Sequence, residues 1–212
     1  MLYTSFLANK IVDWLLRGQA YTPATAALSQ GLLTSTKGPR GNSTVYALTD
    51  TISLTANDGK THLYKCTTAG TSAAAQAALY PGAKSEVITD GTAAFTEQTA
   101  AIRAGTVVEA SYTGYARNNT AASLVNYSGT QGAGTTVAST GTGVPTISNN
   151  GTLTFGAANS GTIAYVWATA WFDATTAGNM LMVEPLTTVK TVNPGDPAPT
   201  YAAGALTVSI DD

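Results

Sequence analysis

Cys66 and His62 are the only cysteine and the only histidine in 212 residues. An intrachain disulfide and a cysteine-based metal cluster are therefore impossible, and a Ser-His-Asp triad would have to use that one imidazole. No G-x-S-x-G turn accompanies it. Both read as packing or surface residues. Glu86 and Asp90 could be the paired acids of glycoside hydrolysis. Four residues along a strand would separate them by about 13 Å, too far for a retaining or an inverting pair. Glu97, Glu109 and Glu184 could meet across a fold, yet nothing in the sequence selects them. Asp58-Gly59, Asp90-Gly91 and Asn193-Pro-Gly-Asp196 each offer too few carboxylates for a calcium site and read as turns. The expectation is no catalytic residue, no metal and no cofactor. Four Asn-x-Ser/Thr matches (Asn42, Asn118, Asn126, Asn150) are chance features of a chain rich in Asn and Thr.

The aromatic residues leave a second kind of chemistry open. Trp167 and Trp171 lie four apart in an alternating segment, which predicts a shared face on one strand. That face is either a platform on which sugar rings stack or a pair packed between sheets, and the apolar strand around it favours the core. Tyr64, Tyr80 and Phe95 form a second candidate glycan-binding set.

The elements that must position these residues are poor in charge. From Asn118 through Phe172 there is no Lys, Arg, Asp, Glu or His. Disordered segments stay solvated through charge and carry few apolar residues. Here Leu124, Val125, Tyr127, Val144, Ile147, Leu153, Phe155, Ile163 and Val166 recur too often for that, so the stretch reads as a neutral, Thr-rich β structure. Charged residues make up 10% of the whole chain, against roughly 25% in typical globular domains. A formal net charge of -2 gives no electrostatic case for nucleic acid or an anionic membrane. A surface so weakly charged invites association.

The opening residues predict an amphipathic helix of about four turns. Leu7, Ile11, Trp14 and Leu15 share a face, Thr4 or Ser5 can cap its start and Gly18 its end. Lys10 and Asp13 interrupt any secretory apolar region. No uninterrupted apolar run reaches the ~20 residues of a membrane span. The helix face could cap its own body or dock on a neighbouring subunit, and the latter is the expectation. Ala24–Leu33 reads as a strand or a short apolar connector, and strands are predicted at Thr44–Leu48, Thr51–Thr55, Thr61–Thr67, Glu86–Asp90, Gly105–Ala116, Gly151–Phe155, 162–172, Met180–Glu184, Thr187–Val192 and 204–210. Asn57-Asp58-Gly59 marks a hairpin. Thr71–Leu79 reads as a short helix and 129–143 as a long loop. Many short strands at 8–15-residue spacing point to an antiparallel sandwich or jelly roll.

Several segments together resemble a family of small tailed-phage virion proteins described as tail-fibre-like or head-fibre-like. These are the helix ending Leu15-Leu-Arg-Gly18, then Ala20-Tyr-Thr-Pro23, and Gly105-Thr-Val-Val-Glu-Ala-Ser-Tyr-Thr-Gly-Tyr-Ala-Arg117 before the uncharged tract. Phe172-Asp-Ala-Thr-Thr-Ala-Gly-Asn179, Leu186-Thr-Thr-Val-Lys-Thr-Val-Asn-Pro-Gly-Asp196 and Ala202-Ala-Gly-Ala-Leu-Thr-Val208 complete the likeness, which covers roughly 1–34 and 104–212. In the compact family form the first strand runs almost directly to the Gly-Tyr-Ala-Arg segment. Here 37–100 intervenes. That part is similar to a small β unit of phage fibre proteins, through Leu63-Tyr-Lys-Cys-Thr-Thr-Ala-Gly-Thr-Ser72, Pro81 and Val87-Ile-Thr-Asp-Gly-Thr92 followed by Phe95.

The resemblance implies a virion structural protein without catalysis, made in the bacterial host cytoplasm. Its expected architecture is a mainly β, discontinuous body (1–36 and 101–212) with an N-terminal helix and an inserted β module (37–100). Its expected partners are other capsid or tail subunits and copies of itself, a trimer by analogy with fibres, as fibre, fibre adaptor or head decoration. Leu7, Ile11, Trp14 and Leu15 are the expected subunit interface. The alternative is a receptor-binding protein holding host surface polysaccharide through Tyr64, Tyr80 and Phe95 or through Trp167 and Trp171.

Overall fold

Alternating Thr, Val, Ile and aromatic residues, broken by Gly, Asn and Asp turns, fold into short antiparallel strands. The computed structural model describes residues 1–22, 28–76, 80–130, 139, 146–161 and 163–209. Its first half contains β1 (Leu2–Tyr3), α1 (Ser5–Arg17), β2 (Ser29–Ser35), β3 (Val45–Tyr46), β4 (Thr51–Thr55), β5 (Thr61–Thr68), β6 (Gly70–Thr71), β7 (Val87–Asp90), β8 (Ala93–Glu97) and α2 (Thr99–Arg103). Its second half contains β9 (Thr146–Ser148), β10 (Leu153–Thr154), β11 (Ala164–Phe172), β12 (Met180–Val192), β13 (Thr200–Tyr201) and β14 (Thr207–Ser209). The fold is mainly β and antiparallel, with a helix at the N-terminus.

A four-stranded sheet in the order β1-β12-β11-β2 forms the central layer. β11 is its spine, with seven of its nine residues buried in an unbroken run from Val166 to Phe172. On one face Trp167, Ala168, Ala170, Phe172, Met180 and Val183 pack with Leu33, and against them lie Leu63 from β5 and Ile102 from α2. On the other face Ala164 and Val166 meet Tyr112, Phe155 and Val192, while Trp171 and Leu181 meet Leu153, Leu206 and Val208. The two-stranded ribbons β10–β13 and β9–β14 cover that second face. A second sheet, β4-β5-β8-β7, with the β3–β6 ribbon, has a core of its own around Tyr46, Ile52, Tyr64, Cys66, Tyr80 and Phe95.

The two tryptophans occupy opposite faces of the central sheet. The pairing of β11 with both β2 and β12 shifts between Val166 and Ala168, so Trp167 is an extra residue in a bulge. One inserted residue reverses the alternation beyond it. Trp167 therefore joins the Leu63–Ile102 side and Trp171 the Leu206–Val208 side.

Other expectations also change. Residues 105–116 form no strand. Gly105 and Gly114 take positive φ (69° and 93°), and the segment meets the β2 edge at one isolated bridge, Leu33 with Glu109, and through Tyr115 Oη, which accepts from Leu32 N. The two strands expected at 180–184 and 187–192 are one, β12. β8 and α2 were unforeseen. No helix begins at Thr71, residues 71–76 being extended or bent. Residues 24–27 and most of the expected loop at 129–143 lie outside the described residues.

Candidate interaction surface

The few ionisable residues are drawn together in pairs and triads that the fold itself uses. β4 and β5 form the hairpin predicted at Asn57-Asp58-Gly59, and β5 pairs on its other side with β8. This brings His62 between two carboxylates. Its Nδ1 lies 3.0 Å from Glu97 Oε1 and its Nε2 3.0 Å from Asp58 Oδ2. A carboxylate can only accept, so both ring nitrogens donate and the imidazole is the charged form. Glu97 is fully enclosed. It also accepts from Ser85 N at 3.0 Å, from Thr99 N at 2.8 and 2.9 Å, and from Thr99 Oγ1 at 2.6 Å. The bond to Glu97, reinforced by Asp58, raises the His62 pKa in spite of burial. Burial alone would push Glu97 up, but the donors of His62, Thr99 and Ser85 together hold it below the usual carboxylate range.

Two further clusters have the same character. Asp90, at the end of β7, accepts Arg40 Nη2 at 3.0 Å, Ala73 N at 3.1 Å and Tyr80 Oη at 2.7 Å. Its buried ion pair with Arg40 ties residues distant in sequence across the second sheet. Arg117 donates to Glu109 through Nε at 2.8 Å and Nη2 at 2.7 Å, and through Nη1 to the carbonyls of Ala174 and Ala177. Its guanidinium lies 3.5 Å from the centre of the Phe172 ring, and Tyr115 donates to Glu109 at 2.6 Å. Gly31 makes room for this cluster. A Cβ there would sit 2.7 Å from Glu109 Oε1 and from Phe172 Cε2.

In each cluster the acid's oxygens face donors of the protein; Glu109 also lines a groove of about 600 Å³ with Ser111, Thr175 and Thr176, but its two oxygens are taken by Arg117 and Tyr115. Glu86 and Asp90 do not act together, because Asp90 belongs to Arg40 and Tyr80. Among the described residues no three His, Cys, Asp or Glu side chains group to hold a metal ion. Cys66 is buried, and burial pushes its thiol pKa up.

The aromatic candidates are interior. Tyr64, Tyr80 and Phe95 are at most 1% exposed and pack edge-on or tilted against one another at 4.9 and 5.9 Å between ring centres. Tyr64 Oη donates to Pro81 O at 2.8 Å. Trp167 and Trp171 are buried on opposite sides of β11. None of the five presents a ring face to solvent, so none is placed to stack on a sugar.

α1 behaves otherwise. Thr4 caps it, accepting from Leu7 N at 3.3 Å while its hydroxyl donates to Met180 O at 2.6 Å, which fixes the helix start to β12. Gly18, at φ 64°, ends it in the left-handed conformation. Between these points no residue of α1 is buried. Phe6 and Leu7 touch the core beside Trp171. Ile11, Val12, Trp14, Leu15 and Leu16 are 40, 49, 62, 62 and 81% exposed. The charged side chains do not separate this arc from the body in the usual way: Lys10 folds back over Phe6 and Asp13 is taken by Arg17 at 2.7 Å. Of the four residues expected at an interface, Ile11, Trp14 and Leu15 are exposed and Leu7 is half-buried. No helix among the described residues is long and apolar enough to cross a membrane.

A family model described as the podophage GP4 fiber I protein gp80 matches residues 89–209, more than half of the 212-residue chain. The chain belongs to this family. No curated protein matches it. Membership makes it a fibre-like virion protein that associates with other virion proteins. The family match takes in the end of β7, the Arg117 cluster, the charge-free tract and the whole β11–β12 hairpin. α1 and the His62 hairpin precede it.

Sequence reasoning missed Glu97 as a partner of His62 and Glu109 as a partner of Arg117. The first pair is 35 residues apart and meets only through the β5–β8 register. The second is eight residues apart, a spacing that no regular element brings together. A positive signal existed for the second: Glu109 and Arg117 bracket two tyrosines in a chain otherwise short of charge.

Proposed function

We propose that this fibre-family protein is a non-catalytic structural subunit of the virion and that α1 is its principal subunit interface. The observation that carries the proposal is the direction of the helix. Its capping and its first turn hold it against β12, yet its largest apolar side chains point away from the body it belongs to. Five exposed apolar side chains crowd into residues 11–16, under two turns of the helix, and such a contiguous apolar patch marks an interaction site. Residues 37–100 act in this reading as a β module with its own core, seated on the central sheet through Leu63. The charged clusters serve as pins that keep a lightly charged β framework in register, and the acids within them are occupied by donors of the protein itself.

The test is incorporation. A Leu15→Asp/Leu16→Asp double variant should fold, since both side chains are solvent-facing, and should show the wild-type melting profile. Mass spectrometry of purified particles should find the wild-type chain and should lack the double variant. Wild-type amounts of the double variant in particles would refute the assignment of α1 as the interface.

A further inference from the structure

We infer that Asn150 is a site of spontaneous covalent modification, converting through a cyclic imide to aspartate and isoaspartate, and that the conversion releases the turn at 121–127 from the body. The inference is independent of the role of α1. Asn150-Gly151 is the only Asn-Gly pair in the chain. It lies in a bend between β9 and β10, with Asn150 partly exposed and Gly151 exposed. Ring closure requires the backbone nitrogen that follows an asparagine to reach the Cγ of that side chain. A glycine in this place has no Cβ to obstruct the approach. The nitrogen must also be unengaged, and among the described residues Gly151 N donates to no acceptor. Comparable sites are closed. Gly59 N, after Asp58, donates to Ala56 O at 3.1 Å, and Ser43 N, after Asn42, donates to Ala73 O at 3.1 Å. The Asp90 carboxylate is held by Arg40, Tyr80 and Ala73 N. Asn149 is buried, its Nδ2 donating to Gly151 O and Ala202 O at 2.7 Å and its Oδ1 accepting from Leu206 N at 2.9 Å.

The reaction needs only water. Gly151 N loses its proton and attacks Asn150 Cγ, the Cγ–Nδ2 bond breaks, and the amide nitrogen takes up a proton and leaves as ammonia. Water then opens the ring at either carbonyl. One opening gives aspartate, and the other gives isoaspartate, in which the main chain runs through the former side-chain carbon. The consequence follows from what Asn150 holds. Its N donates to Asn126 O at 2.8 Å and its Nδ2 to Val125 O at 3.0 Å. These bonds tie the bend to a turn that Asn126 closes on Ser123 and Ala121, and whose Leu124 and Val125 are 50 and 70% exposed. A carboxylate has no proton to donate. After conversion its oxygen faces the Val125 carbonyl, and the two acceptors repel. Isoaspartate also adds one carbon to the main chain just before β10, whose Leu153 pairs with Tyr201. Either product places a negative charge in the tract from Asn118 to Phe172, which has no Lys, Arg, Asp, Glu or His. The bond that fastens the turn is thus made by the group that the reaction removes.

The experiment incubates the purified full chain at neutral and mildly alkaline pH and follows every asparagine by peptide mapping. Ammonia release and labelling by an isoaspartyl methyltransferase are independent readouts. The peptide holding Asn150 should gain the mass difference between an amide and an acid ahead of all others, and faster at the higher pH, because Gly151 N attacks as its anion. Gly151→Ala should lose most of this conversion. That variant should fold, since a Cβ at Gly151 meets no atom within 4 Å and its φ lies outside the left-handed region. Hydrogen exchange should rise at 121–127 in aged wild type and in Asn150→Asp, with β11 still protected. Conversion of Asn150 no faster than that of Asn42 or Asn126, or an unchanged rate in Gly151→Ala, would overturn the assignment of the site. Unchanged exchange at 121–127 in both aged wild type and Asn150→Asp would overturn the release of the turn.

Discussion

Glu97→Gln tests whether the charged pins hold this fold. The substitution keeps the size of a fully enclosed side chain but replaces two accepting oxygens with one oxygen and an amide nitrogen. In the native protein those two oxygens receive His62 Nδ1, Ser85 N, Thr99 N and Thr99 Oγ1. With glutamine at least one of these donors faces an –NH2 group and loses its partner. Hydrogen bonds to a charged group contribute roughly 1.5–3 kcal/mol. Removing one member of a buried pair costs about 3–5 kcal/mol, because the other charge stays behind. His62 keeps Asp58 and a small exposed edge, so the lower part of that range applies, a loss of about 3 kcal/mol. In a chain of this size that lowers Tm by about 6–12 °C.

The pH dependence sharpens the test. The His62 pKa is raised in the folded state, so its contribution is fully present below the ordinary histidine value of about 6.5 and is lost as pH rises through the raised value. Glu97 and Asp58 are held low. Their contribution is present above about pH 4.3 and disappears on acidification through their folded values. Wild type should be most stable between about pH 5 and 6.5 and should weaken on either side. Urea unfolding followed by tryptophan fluorescence, repeated from pH 4 to 9, measures both effects. Glu97→Gln should shift the midpoint down and flatten the decline above pH 6.5, since only Asp58 remains to favour the imidazolium. A loss below about 1 kcal/mol with an unchanged alkaline slope would show that His62 is not held as a bridging cation.

Trp167→Ala should cost about 3–5 kcal/mol, because the side chain is wholly buried at the meeting of β11, Leu63 and Ile102; thermal unfolding measures it. Trp167→Phe should lose less than half as much, since the indole N–H has no hydrogen-bond partner to forfeit. Arg117→Ala should cost about 3 kcal/mol by leaving Glu109 unpaired, and hydrogen exchange should rise first in the 174–177 turn, whose carbonyls Arg117 holds. An undisturbed turn would show that the guanidinium is not what fixes it.

Much of the architecture was legible in the sequence where a local signal and a tertiary one agree. Thr51–Thr55 and Thr61–Thr67 alternate around Asn57-Asp58-Gly59, and that hairpin forms as expected, with β5 one residue longer. β8 was missed because Ala93-Ala-Phe-Thr-Glu97 carries little β-branched character and becomes a strand by pairing between β5 and β7. The tryptophan faces were misread because alternation is counted from one residue to the next, and a single bulge resets the count. A bulge is a property of three strands in register, and one strand's residues do not announce it. α1 presents a different limit. Periodicity finds an apolar stripe and two capping residues, but whether the stripe turns inward or outward depends on Thr4 bonding to β12.

The scarcity of charge takes on a physical meaning once the partners are known. Arg40, Arg117, Asp90 and Glu97 are buried or nearly so in their side chains, and His62, Asp58 and Glu109 are committed to them. A protein with few ionic groups has placed a large share of them where they fix register, and so keeps few for solvation. What faces outward is mostly Thr, Ser, Asn and Ala, with scattered charges such as Lys60, Lys65, Lys84, Glu86 and Arg103, together with an apolar helix. A free monomer gains solubility from surface charge, and spending it internally carries a cost for such a protein. The cost vanishes for a subunit whose surface is covered in the particle. A thinly charged β surface and one outward apolar helix both accord with the association with other virion proteins that the family implies.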